Sequence, residues 1–165
     1  MKQFILTGLL LLFSWSVTDA EVQSRSVTYK EGEKVFQGYL AMDDGTQESR
    51  PGVLIVHQWK GLGEYEKMRA AQLAEMGYIA FALDMYGKGI RPETSTEAST
   101  QAKIYRDDRK LMRERAISGL EVLRKTDFVE QENIAAIGFC FGGGVVLELA
   151  RSGADIAGVV SFHGN

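Results

Sequence analysis

Apolar and polar positions along the chain switch between a two-residue and a three-to-four-residue period. Val27, Tyr29, Val35, Tyr39 and Leu40 stand at strand-like intervals around Glu31-Gly32-Glu33, which predicts a hairpin over 27–42 turning at that triplet. Pro51-Gly52 breaks the chain before Val53-Leu54-Ile55-Val56, an unbroken apolar run of the kind a central strand buried on both faces shows. Residues 64–76 predict a helix stopped by Gly77, with Tyr65, Met68 and Met76 on its apolar side and Arg69 and Gln72 interrupting it. A second buried strand is expected over 78–83. Residues 95–99 are polar and rich in capping types, and read as a flexible connection. Residues 101–125 read as one longer helix, with Met112, Ala116, Gly119, Leu120 and Leu123 in a stripe. A third strand over 134–139, a short helix over 142–151 ended by Gly153, and a fourth strand over 156–162 complete the pattern. No internal repeat or low-complexity tract interrupts it.

Strands alternating with helices imply successive crossover connections, and these build a mostly parallel sheet with helices on both faces. The expected class is therefore α/β. Ligands of such sheets sit at the carboxyl ends of the strands. His57, Gln58 and Trp59 leave the first parallel strand at that edge. Asp84, Met85 and Tyr86 leave the second, Cys140 the third and His163 the fourth, so one edge should collect all of them.

The 165 residues are 45% hydrophobic and 25% charged, which suits one globular domain with a real core. A net charge of -3 offers no basic footprint for nucleic acid. Residues 1–20 form a separate segment. Lys2 precedes an apolar run from Phe4 to Val17, and Thr18-Asp19-Ala20 offers small residues where a signal peptidase reads them. The run is shorter than the roughly 20 residues a spanning helix needs. The expectation is cleavage after Ala20, a domain over 21–165, and export to the periplasm or beyond without membrane attachment. A single cysteine permits no internal disulfide, and a lone thiol in an oxidising compartment asks for a chemical reason.

Gly138-Phe139-Cys140-Phe141-Gly142-Gly143 lies between a predicted strand and a predicted helix. A nucleophile elbow needs that setting, because the side chain must leave the sheet on a sharp turn. Glycines two residues to either side let neighbouring backbone pass without a Cβ clash. The helix beyond places its positive dipole end at the sulfur, which favours the thiolate, and the Phe141 N–H becomes an oxyanion donor. A phosphate-binding loop is excluded, since no Lys followed by Ser or Thr succeeds the glycines. The competing reading is a structural cysteine at a strand end.

Together with His57-Gln58-Trp59-Lys60-Gly61-Leu62 and Asp84-Met85-Tyr86-Gly87-Lys88-Gly89, this elbow resembles the dienelactone hydrolase family from about Val35 to Asn165. The resemblance implies an α/β-hydrolase fold, a Cys-His-Asp triad, and action on small-molecule lactones and other carboxylic esters without a cofactor or metal. It implies that Cys140 attacks the carbonyl while the N–H groups of Phe141 and Trp59 form the oxyanion hole. Lys88 stands where an arginine holds the substrate carboxylate. Gln58 departs from a glutamate often found at its position. A glutamine keeps the hydrogen bond but accepts no proton at neutral pH, so Gln58 reads as a positioning residue beside the substrate.

The triad does not close within these residues. His57 and His163 both read as hydrogen-bonding wall residues. Between Cys140 and His163 the acids are Glu148, inside a helix, and Asp155, at the opposite edge of the sheet. The catalytic histidine and acid are therefore expected beyond residue 165, and the fold is expected to be incomplete at its C-terminus, the chain alone being inactive. Two other readings stay open: a different cysteine acyl-transfer enzyme, such as a thioesterase or peptidase, and an exported binding module with a dead elbow.

Overall fold

The computed structural model describes residues 21–164, so the segment expected to direct export lies outside the described residues. Among the described residues six strands form one sheet in the order β1-β2-β4-β3-β5-β6. The strands are β1 (Val22–Glu31), β2 (Lys34–Asp43), β3 (Arg50–Val56), β4 (Ile79–Leu83), β5 (Val129–Phe139) and β6 (Gly158–Phe162). The helices are α1 (Glu64–Glu75), α2 (Ser95–Asp107), α3 (Arg109–Arg124) and α4 (Phe141–Arg151). β4, β3, β5 and β6 run parallel, whereas β1 and β2 pair antiparallel at one side. The fold is the mostly parallel α/β sheet that the alternation implied.

The hairpin is longer than expected, pairing Val22 with Asp43 at one end and Glu31 with Lys34 at the other. Its loop is only Gly32-Glu33, and Gly32 supplies the positive φ (+56°) that two-residue hairpin loops favour. β3 begins at Arg50 rather than Val53. Pro51 cannot donate to a ladder, and the register to β5 slips between Pro51 and Gly52, where a proline is tolerated.

Two helix expectations are corrected. On α1 the buried positions are Glu66, Ala70 and Ala74, while Met68 and Met76 are 46% and 70% exposed. Small alanines let the helix lie close to the sheet, and the large methionines fall on the outer side. The helix read over 101–125 is two helices, and the polar residues 95–99 are the first turns of α2. Thr94 and Glu97 form a capping box there, which starts the helix where a loop was expected. Asp108 (φ −119°, ψ 88°) breaks the run, and its carboxylate accepts the Leu111 N–H at 2.9 Å to start α3.

Hydrophobic side chains fill both faces of the sheet. One cluster joins Leu54, Val56, Phe81 and Leu83 to Met112, Ala116, Leu120 and Leu123 of α3 and to Val145, Val146 and Leu149 of α4. The other joins Val53, Ile55, Ala80 and Ala82 to Ala70 and Ala74 of α1. β3 is buried on both faces from Val53 to Val56, as its continuous apolar run implied, and each such side chain contributes about 1.5–3 kcal/mol. At the far edge, Val160 and Phe162 of β6 are 49% and 44% exposed. Between α1 and β6 an open groove of about 500 Å³ is lined by Leu73, Met76, Ile137, Phe139 and Phe162. Among the described residues no helix is long and apolar enough to cross a membrane.

Candidate active site

Cys140 is the residue between β5 and α4. Its φ of +53° with ψ −115° is a conformation that side-chain-bearing residues rarely adopt. Such strain costs of the order of 1–3 kcal/mol and persists only where the surroundings enforce it. Here they do. The Cys140 N–H bonds to the Phe162 carbonyl at 2.9 Å, and the Gly143 N–H to the Cys140 carbonyl at 3.0 Å. A Cβ on Gly138 would run into the Gly142 carbonyl, and one on Gly142 into the carbonyl of Val56. The glycine spacing read from the sequence is thus a backbone-packing requirement. The Cys140 side chain is free and partly exposed, on the residue that precedes the first turn of α4.

The Gln58–Gly63 loop leaves β3 directly against this turn, because Gly142 packs on the Val56 and His57 carbonyls. His57 is fully buried. Its Nε2 accepts the Met85 N–H at 3.1 Å, so its Nδ1 carries the proton donated to the Gln58 carbonyl at 2.5 Å. Burial pushes its pKa below the ordinary histidine value, which keeps it neutral. It is a wall residue, as read from the sequence. Tyr86 donates its hydroxyl to the Trp59 carbonyl at 2.9 Å, and burial raises its pKa so that it remains a donor. The rings of His57, Tyr86, Tyr105 and Phe141 pack together behind the elbow.

Asp84, also fully buried, organises the next loop. It accepts N–H groups from Gln37 at 3.2 Å, Tyr86 at 3.2 Å and Gly87 at 3.1 Å, and pairs with Arg91 at 3.3 Å. Lys88 is exposed, and its backbone N–H bonds to the Val35 carbonyl at 2.9 Å. Arg91, not Lys88, lines the groove formed by Gln58, Trp59, Lys60 and Leu62. Sequence reasoning missed Arg91 and also Glu66. The spacing Gly63-x-x-Glu66 at a helix start was the available sign for Glu66; nothing in the sequence distinguished Arg91.

His163 is exposed at a positive φ of +44°, at the groove beside Phe139 and Phe162. No described side chain hydrogen-bonds the Cys140 thiol. Glu148 is engaged by Arg113 at 2.9 and 2.7 Å and by Arg151 at 2.9 Å, and the Asp155 carbonyl by Arg124 at the end of α3. The Glu148 carboxylate is thus taken by two arginines, and Asp155 precedes β6, at the end of the sheet away from Cys140. Among the described residues no group of three His, Cys, Asp or Glu side chains could hold a metal ion.

With this fold and edge described, the chain can be compared with known proteins. Residues 36–165 match the model of the dienelactone hydrolase family. The chain belongs to the dienelactone hydrolase family. A solved dienelactone hydrolase-like promiscuous phosphotriesterase from metagenomic libraries is 38% identical with a TM-score of 0.83 over 87% of this chain. A solved structure named m3DLH is 35% identical with a TM-score of 0.84, also over 87%. A probable 2-oxo-3-(5-oxofuran-2-ylidene)propanoate lactonase of Bradyrhizobium sp is 29% identical over 115 residues, or 69% of this chain. The chain spans 46% of the length of that lactonase, and 59% and 60% of the two solved structures.

Proposed function

We propose that this chain carries the nucleophile of a hydrolase that cleaves carboxylic ester or lactone bonds of small molecules through Cys140. The observation that carries this reading is the enforced positive φ of Cys140 at the head of α4. The thiolate adds to the substrate carbonyl carbon, and the carbonyl electron pair moves to oxygen. The N–H groups of Trp59 and Phe141 receive that oxyanion. Collapse expels the alkoxide, which takes a proton from a histidine, and water then hydrolyses the thioester. His57 cannot be that histidine, since both its ring nitrogens are engaged. The histidine and its acid are therefore assigned to polypeptide beyond the described residues, in keeping with the greater length of the relatives. Gln58 and Arg91 line the groove beside this loop, and Lys88, expected to hold a substrate carboxylate, lies outside it.

The chain by itself should be acylated once per thiol by p-nitrophenyl acetate and turn over only slowly, because deacylation needs a general base worth about 10²–10⁴-fold. Cys140→Ala should abolish acylation; retained release of p-nitrophenolate in that variant would overturn the assignment. A phosphotriester belongs in the substrate panel, given the solved relative named for that activity. We also propose export after cleavage at Ala20, so that the exported protein begins at Glu21; a product that starts at Met1 and stays in the cytosol would refute it.

A further inference from the structure

The peptide that joins Gln58 to Trp59 is held by its carbonyl. Its carbonyl, on Gln58, accepts His57 Nδ1–H at 2.5 Å and the Gly61 N–H at 3.2 Å. A trans peptide is planar, with C=O and N–H pointing in opposite directions. Fixing the Gln58 carbonyl therefore fixes the direction of the Trp59 N–H. The same loop is also bound by Glu66, which is 3% exposed in the first turn of α1. Its Oε1 accepts the Gln58 N–H at 3.3 Å, and its Oε2 the Gly63 N–H at 2.9 Å. One buried carboxylate thus ties down both ends of the stretch that contains Trp59.

Helix capping alone does not account for this side chain. A capping box needs one acceptor for the N-cap N–H, and glutamine serves there as well as glutamate. The second oxygen is spent on Gln58, which lies outside the helix. A buried carboxylate is also costly to desolvate, and here two N–H donors offset that cost. We propose that Glu66 is a positioning residue of the oxyanion hole: its two oxygens, on the Gln58 and Gly63 N–H groups, aim the Trp59 N–H at the site where Cys140 attacks. This rests on the assignment of Cys140 as nucleophile.

The test compares two reactions of the same thiol. Acylation by p-nitrophenyl acetate builds an oxyanion, whereas alkylation by iodoacetamide displaces iodide at a saturated carbon and builds none. In Glu66→Gln the cap on Gly63 can survive, but an amide NH₂ then faces the Gln58 N–H. Removing one oxyanion donor outright costs about 10²–10³-fold. A misaimed donor should cost less, and acylation of Glu66→Gln is expected to slow about tenfold while iodoacetamide labelling stays within about twofold of wild type. Equal loss in both reactions, or unchanged acylation, would overturn the proposal. Failure of the underlying assignment is separately visible: the unsubstituted protein would then show no acylation at Cys140.

Discussion

Replacing Cys140 by glycine should leave the protein more stable than replacing it by alanine, the reverse of the usual order. Both variants lose the sulfur, so the difference between them isolates the backbone. Alanine keeps a Cβ at φ +53° and ψ −115°, and so keeps a strain of about 1–3 kcal/mol. Glycine adopts this region freely. Against that relief stands the larger unfolded-state entropy of glycine, about 0.4–1 kcal/mol. The net advantage of Cys140→Gly over Cys140→Ala is then about 0.5–2 kcal/mol, or roughly 1–8 °C in Tm for a domain near this size. Urea and thermal unfolding of the two variants measure it. Ala71→Gly, inside α1 at an ordinary helical position, serves as the control and should lose about 0.5–1 kcal/mol. Should Cys140→Gly prove less stable than Cys140→Ala, the elbow is unstrained, and the main support for a nucleophile at this position is gone.

Glu148 ties α4 to α3 through Arg113, whose side chain is 38% exposed, so Glu148→Ala should cost about 1–2 kcal/mol in urea unfolding; Arg151, 63% exposed, should matter by no more than about 0.5 kcal/mol. The Arg113 hydrogen bonds hold the Glu148 carboxyl below its ordinary range, so this contribution is present above the unfolded carboxylate value and lost as pH falls through the folded one. His57 acts in the same direction at higher pH. Burial keeps it neutral when folded, the unfolded chain takes up the proton, and stability should fall as pH drops below the ordinary histidine value of about 6.5. Unfolding free energies measured from about pH 7.5 to about pH 5 should show a shallower slope in His57→Gln, and equal slopes would refute the account.

Much of this molecule was legible in one dimension because its deciding constraints are local. The Val53-Leu54-Ile55-Val56 run could only be a strand buried on both faces, and the glycines around Cys140 mark a turn that no side chain fits. The order of strands and helices set the parallel sheet, and with it the edge where Cys140, Trp59 and Asp84 meet. Other features depended on what lies across from a residue. Which face of α1 is buried was misread, because alanines packed against β3 and β4 outweigh exposed methionines only once the sheet is in place. The break at Asp108 was not visible in the apolar stripe, which begins only at Met112, and the capping bond of Asp108 to Leu111 marks it. The turning of Arg91 towards Asp84, and of Glu66 towards Gln58, needed side chains from separate elements to meet in space. Sequence alone determined the order of strands along the chain and the edge that bears Cys140, since these follow from hydrophobic period and turn sterics. Tertiary structure alone decided which polar side chains hold the loops at that edge, because a buried hydrogen bond is specified by its partner's position.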